Sequence, residues 1–206
     1  MPSERLLDEA VELLDRALAY TRGTLAGVTD ADLGQPTPCH RWDLGQLLAH
    51  MEDALDAFAE GAGGMVSVAA AVPAPVRVAS LQRKACALLG AWAGQRPSSV
   101  RVDDQWVATE VVVAVAALEI TVHGWDVGVA TGRGNPLPED LARRLLPVAR
   151  GFVAADDRGT RFGDPLPPGA RGSSADHDLL AFLGRDRTGP PGQIPGNPYT
   201  QGRAAS

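Results

Sequence analysis

The segment from Val107 to Ala130 is apolar on nearly every side, and it constrains the fold more than any other stretch of the chain. Its β-branched run Val111 to Val113 would suit a strand, but the length of the segment and the alanines at 114, 116 and 117 favour a helix. A helix with no polar face belongs in the middle of a helical bundle, where neighbours cover it all round. The longest unbroken apolar run, Val111 to Leu118, falls far short of the roughly 20 residues that cross a bilayer, so no membrane span is expected.

Partners for that helix can be read on both sides of it. Leu7, Val11, Leu14, Leu18 and Leu25 recur at helical spacing and predict a first helix from Glu4 to about Ala26. Pro36 and Pro38 forbid helix in the following turn. Asp43 is then placed as an N-cap for a second helix carrying Leu44, Leu47, Leu48, Met51, Leu55 and Phe58, which ends in the glycines of 61–65. Pro73 and Pro75 mark a loop before a third, less regular helix from about Arg77 to Ala93. Residues 96–106 read as a polar turn with a short extended piece through Val100 and Val102.

After the turn at 131–136, Pro138 opens a fifth helix reaching about Ala154, with Pro147 as a kink or break inside it. A Gly- and Pro-rich loop spans 156–172, and Leu179, Leu180 and Phe182 anchor a short helix over 176–183. Beyond Gly184 the tail is too rich in Gly and Pro to contribute to a core. The expected architecture is all-α: one four-helix bundle with short accessory helices over 1–187, and a tail at 188–206.

Charge narrows the partners. The chain has 19 basic and 25 acidic side chains, a net charge of -6, which argues against nucleic acid and against an anionic membrane surface, since both need a cationic face. The first ten residues carry acids and lack the basic start of a signal peptide, so a cytoplasmic protein is expected. Cys39 and Cys86 read as two reduced thiols, too few for a disulfide framework.

Within the apolar helix the strongly polar side chains are Glu119, Thr121, His123 and Asp126. Glu119 and His123 are four apart and Asp126 lies three further on, so all three project from one helix face. An ionised carboxylate there needs a compensating partner. One reading is a divalent cation held by Glu119 and His123, with His50 on the shoulder of the second helix as third ligand and Asp126 behind. The other is an ordinary core Glu–His hydrogen bond, with His50 at the surface. His40 and His177 are most simply solvent-exposed. Trp42, Trp106 and Trp125 are either pocket walls or core anchors, and Cys39 either lies at a pocket mouth or is packed as a small residue.

The segments TPCHRWDLGQLLAH at 37–50, LEITVHGWD at 118–126 and LLAFLGRD at 179–186 resemble those of the DinB-like metal-binding superfamily. More narrowly they resemble the mycothiol-dependent maleylpyruvate isomerase group. That resemblance implies a four-helix bundle holding a divalent metal, usually zinc, through His50, Glu119 and His123. It also implies an enzyme that uses a low-molecular-weight thiol, mycothiol, as cosubstrate for S-transfer or isomerisation of a small electrophile, and a homodimer pairing through helix faces. Asp126 is then assigned to catalysis as the group that orients a ligand or the substrate. The isomerase itself carries a second domain after the bundle, whereas only about twenty residues are expected to be loose here after Leu183, which turns the expectation away from maleylpyruvate. The alternatives are a metal-binding protein without catalysis and a thiol-independent cyclase or lyase on the same fold.

Overall fold

The computed structural model describes residues 2–39, 42–63, 74–94, 97–102, 104–159, 162–167 and 173–187. Six α-helices are present among them: α1 (Pro2–Leu25), α2 (Leu44–Gly63), α3 (Ala74–Gly94), α4 (Thr109–Thr131), α5 (Glu139–Phe152) and α6 (Ala175–Phe182). The bundle consists of α1 to α4, and α5 packs outside α4 with α6 against α5. The tail expected at 188–206 lies outside the described residues.

Most apolar side chains of α4 find cover in this arrangement, with Val113, Ala116, Ala117 and Val127 fully buried, while Val111 in its first turn stays exposed. By length and composition α4 is long and apolar enough to cross a membrane, but 72% of its most apolar window is buried inside the bundle. Small residues bring α1 unusually close to it. A Cβ on Gly124 would lie 2.3 Å from the Thr21 hydroxyl, which donates to the Ile120 carbonyl at 2.8 Å. One turn on, Gly128 meets Gly134 of the following turn, and an added Cβ would lie 2.7 Å from the Gly134 Cα.

A different device joins α2 to α3. Glu52, buried on α2, accepts from Arg77 Nη1 at 2.9 Å and Ser80 Oγ at 2.6 Å, and Lys84 Nζ stands 3.2 Å from it. Burial alone would raise the Glu52 carboxyl, but Ser80, Lys84 and Arg77 outweigh it and hold the group below its ordinary value.

Three expectations need correction. Proline before residue 77 does not delay α3, which starts at Ala74 with Pro75 in its first turn, where the missing N–H costs no helical hydrogen bond. The extended piece is half of an antiparallel hairpin, β1 (Ser99–Val102) with β2 (Gln105–Ala108), paired Val100 to Val107 and Arg101 to Trp106, so α4 begins at Thr109 rather than Val107. Arg185, placed by sequence in a solvated tail, is buried. Pro147 lies inside α5, which runs continuously through it.

Candidate metal centre

The site is assembled from two helices, α2 and α4, and the turn that follows α6. On α2, Asp43 caps the first turn as its sequence predicts: Asp43 Oδ1 accepts from the Gln46 N–H at 2.8 Å, and Gln46 Oε1 accepts from the Asp43 N–H at 3.1 Å. With Leu44, Leu47 and Leu48 buried against the core, His50 falls on the shoulder of that face and points inward. Thr37 fixes the preceding loop by donating to the carbonyls of Cys39 and Trp42, and the Trp42 ring lies 4.3 Å from that of His50.

On α4, Glu119 and His123 stack one turn apart. Glu119 Oε1 is 2.7 Å from His50 Nε2 and 3.0 Å from His123 Nε2. The three side chains offer one ligand-type atom each, all within 4.8 Å of one another. His50 therefore meets Glu119 while its own side chain stays 34% exposed. The other ring nitrogen of His123, Nδ1, lies 2.9 Å from Asp126 Oδ2.

Asp126 is itself gripped from behind. Arg185 donates from Nε to Oδ1 and from Nη2 to Oδ2, both at 2.8 Å. The guanidinium reaches this position because α6 ends in a tight turn: Gly184 has a left-handed φ of 73°, and the Arg185 N–H returns to the Leu180 carbonyl at 2.9 Å. Backbone from the loop at Gly163 presses against Gly184 so closely that a Cβ there would lie 2.7 Å from the Gly163 Cα.

These contacts set the charges. Burial disfavours the Asp126 anion, but Arg185 and then His123 more than compensate and lower its pKa. Enclosure would likewise raise Glu119, yet His123 above all, with His50, holds it well below the carboxylate range. Burial would lower His123, and the Glu119 charge together with the Asp126 hydrogen bond instead raises it to about 9. In the chain without an ion, the compensating charge for Glu119 is thus a proton on His123.

The donor set fits a divalent cation. Asp126 is ionised, with Arg185 donating to both of its oxygens, so it has no proton to give, and the proton of a neutral His123 must sit on Nδ1. That leaves the Nε2 lone pair facing Glu119 and His50, the orientation by which a carboxylate commonly fixes a ligating imidazole. The cation would take over the neutralisation that the His123 proton otherwise supplies.

Other sequence candidates divide. Trp42 and Cys39 line a small pocket at the triad. Trp125 is buried in the core, and Trp106 is 71% exposed on β2, away from any wall of that pocket. His177 is half-buried on α6 rather than solvent-exposed, and His40 lies outside the described residues. Arg185, buried against Asp126, is the member of this cluster that no sequence pattern marks.

Residues 14–128 match the family model of the mycothiol maleylpyruvate isomerase N-terminal domain, more than half of the chain. The chain belongs to that family. Uncharacterized proteins from two strains of Mycobacterium tuberculosis, MT0763 and Rv0738, are each 28% identical over 163 residues, covering 78% of this chain and 89% of theirs. Among solved structures, the mycothiol-dependent maleylpyruvate isomerase is similar at a TM-score of 0.53 and 18% identity, and a histidine-to-alanine mutant of it at 0.55 and 16%. Each alignment covers 68% of both chains and establishes the shared fold. The family match takes in α2 and most of α4, and so includes His50, Glu119, His123 and Asp126; it stops before Arg185.

Proposed function

We propose that this family member is a metal-dependent enzyme that uses a low-molecular-weight thiol, mycothiol, as cosubstrate for S-transfer to, or isomerisation of, a small electrophile. The observation that carries the reading is the convergence of His50, Glu119 and His123 within 4.8 Å, with His123 already oriented by Asp126. Membership of a family named for a mycothiol-dependent isomerase supports the thiol.

His50, Glu119 and His123 would hold the ion, and two imidazoles with one carboxylate are a donor set that suits zinc. A dication there would lower the pKa of a thiol presented to it, so that the thiolate is available near neutral pH. Asp126 touches neither of the pockets at the triad, so it acts as a positioning residue: it holds the His123 ring and stabilises its Nδ1 proton. Three protein ligands would leave coordination positions free, and Glu119 and His123 line two pockets through which a second molecule could reach them. That openness favours catalysis over a purely structural ion.

Metal analysis of wild type and His123→Ala tests the site, with near-stoichiometric ion expected in the first and loss in the second. Equal content in both would remove the assignment. Incubation with mycothiol and monobromobimane, followed by mass spectrometry, tests activation of the thiol: conjugate should form faster with the ion-loaded chain than with the chelated one, and equal rates would remove metal activation of the thiol from the proposal.

A further inference from the structure

Glu119 and His123 form a shared wall between two chambers. The smaller, about 170 Å³, is lined by Cys39, Trp42, His50 and Arg185 among others. The larger, about 390 Å³, lies among α1, α2, α3 and α4, and Glu119 and His123 are the residues the two have in common. Its volume is within the range of small-molecule sites, roughly 300–1,000 Å³.

The linings differ in chemistry. Leu18, Leu25, Met51, Leu55, Leu81 and Ile120 give the larger chamber an aliphatic wall contributed by all four bundle helices. Its charged groups outside the triad, Asp15 and Arg22, are solvent-exposed and therefore stand where it opens. The Thr21 hydroxyl is already committed to the Ile120 carbonyl. Gln82 and Cys86 also reach the lining but carry no charge, so a molecule with charges along its length would face leucines with no ionic partner, at a large desolvation cost. An aliphatic body would match the wall and bring one end to the carboxylate and imidazole.

We propose that the larger chamber is the acceptor site, and that the acceptor is a molecule with a medium-length aliphatic body whose single polar or reactive end reaches Glu119 and His123. The assignment of this ligand as an acceptor rests on the proposed function; its binding in the chamber does not.

Titration calorimetry with a homologous series of 1-alkanols, butan-1-ol to decan-1-ol, separates the two. For the purified chain, affinity should rise about fourfold per added methylene until the chamber is full, as expected when each methylene leaves water. Ala85 on α3 and Ala54 on α2 line the chamber without belonging to the triad. In Ala85→Phe the rise should stop at a shorter alcohol, and decan-1-ol should bind about tenfold more weakly. Ala54→Leu provides the same test should the larger substitution prevent folding. A flat series in wild type, or a series unchanged in the folded variants, overturns the chamber assignment. Ion content is measured on the same samples. A rising, variant-sensitive series in a chain that holds no ion upholds the chamber and refutes only the proposed function.

Discussion

Arg185 closes a two-point fork on Asp126, with Nε to Oδ1 and Nη2 to Oδ2 both 2.8 Å, although 59 residues separate them along the chain. The end of α6 is thereby tied to the C-terminal part of α4, directly behind His123. Removal of the guanidinium would leave a carboxylate with no exposure to water and only an imidazole to answer it.

Arg185→Leu should therefore be costly in two separate ways. Breaking a buried ion pair by deleting one partner typically costs about 3–5 kcal/mol, which denaturant unfolding of the ion-free chain would read. Loss of a group that orients a ligating imidazole lowers metal affinity by about 10- to 100-fold, which a competitive chelator titration would read. Arg185→Lys keeps the charge without the fork and should fall between wild type and Leu on both scales. Wild-type metal affinity in the Leu variant would show that Asp126 does not position His123 through this pair.

The α1–α4 approach predicts an unusual response to alanine. In an ordinary helix interior Gly→Ala gains about 1 kcal/mol, but at Gly124 the new methyl would lie 2.3 Å from the Thr21 hydroxyl. Overpacking of this kind costs about 1–3 kcal/mol, so Gly124→Ala should lower stability on balance. Thr21→Ala in the same chain should recover most of the loss, and a double-mutant cycle by urea unfolding would show the coupling. Additive effects would mean the two helices can simply move apart.

Acid should loosen the α2–α3 pair. The Glu52 carboxyl has a folded-state pKa below its ordinary value of 4.5, so the ionised form stabilises the native chain above that value. The contribution disappears as pH falls through the lowered folded-state value. Lys84, raised above 10.5 by Asp56 and Glu52 against the opposing effect of burial, behaves in the opposite sense: its contribution is complete below 10.5 and is lost as pH climbs past the raised value. Glu52→Gln should lower the melting temperature at neutral pH and flatten its fall between about pH 5 and about pH 2. An acid limb identical to that of wild type would assign the acid sensitivity to other carboxylates.

Ion removal should mimic ligand removal. An ion that binds only the folded chain stabilises it by mass action, about 2.7 kcal/mol at a hundredfold excess over Kd. EDTA should therefore lower the melting temperature of ion-loaded wild type by several degrees and leave His123→Ala unchanged. A wild-type melt indifferent to both zinc and EDTA would argue for a centre neutralised by its proton alone.

The bundle and the triad were readable in the sequence because each leaves a local periodic mark. Apolar residues on every face of 109–131 describe a helix with no solvent-facing side, and Glu119 with His123 four positions on share one side of it. His50, beside Leu47 and Met51, was open to two readings, ligand or surface residue, and the resemblance to the DinB-like proteins favoured the first. What could not be read were contacts made by chain reversal. Arg185 looks like any solvated charge near the end of a chain, and the one local hint is the glycine before it, placed where helices commonly stop. The second strand of the hairpin was hidden because its four residues, Trp106 included, are mostly exposed and carry no alternation. Pro75 was read as a breaker when it stands in a first turn, a distinction that depends on where α3 begins.

The contact between Gly163 and Gly184 gives the inner fork a signature that can be looked for elsewhere. A side chain at position 184 would have to adopt a left-handed backbone and displace the Gly163 strand of the loop, and the arginine after it would lose its approach to Asp126. Homologues that keep glycine at both places and arginine next to the second should share the buttressed histidine. Those that replace either glycine must secure Asp126 by some other cation, and they mark where the lineage has rebuilt the back of the pocket.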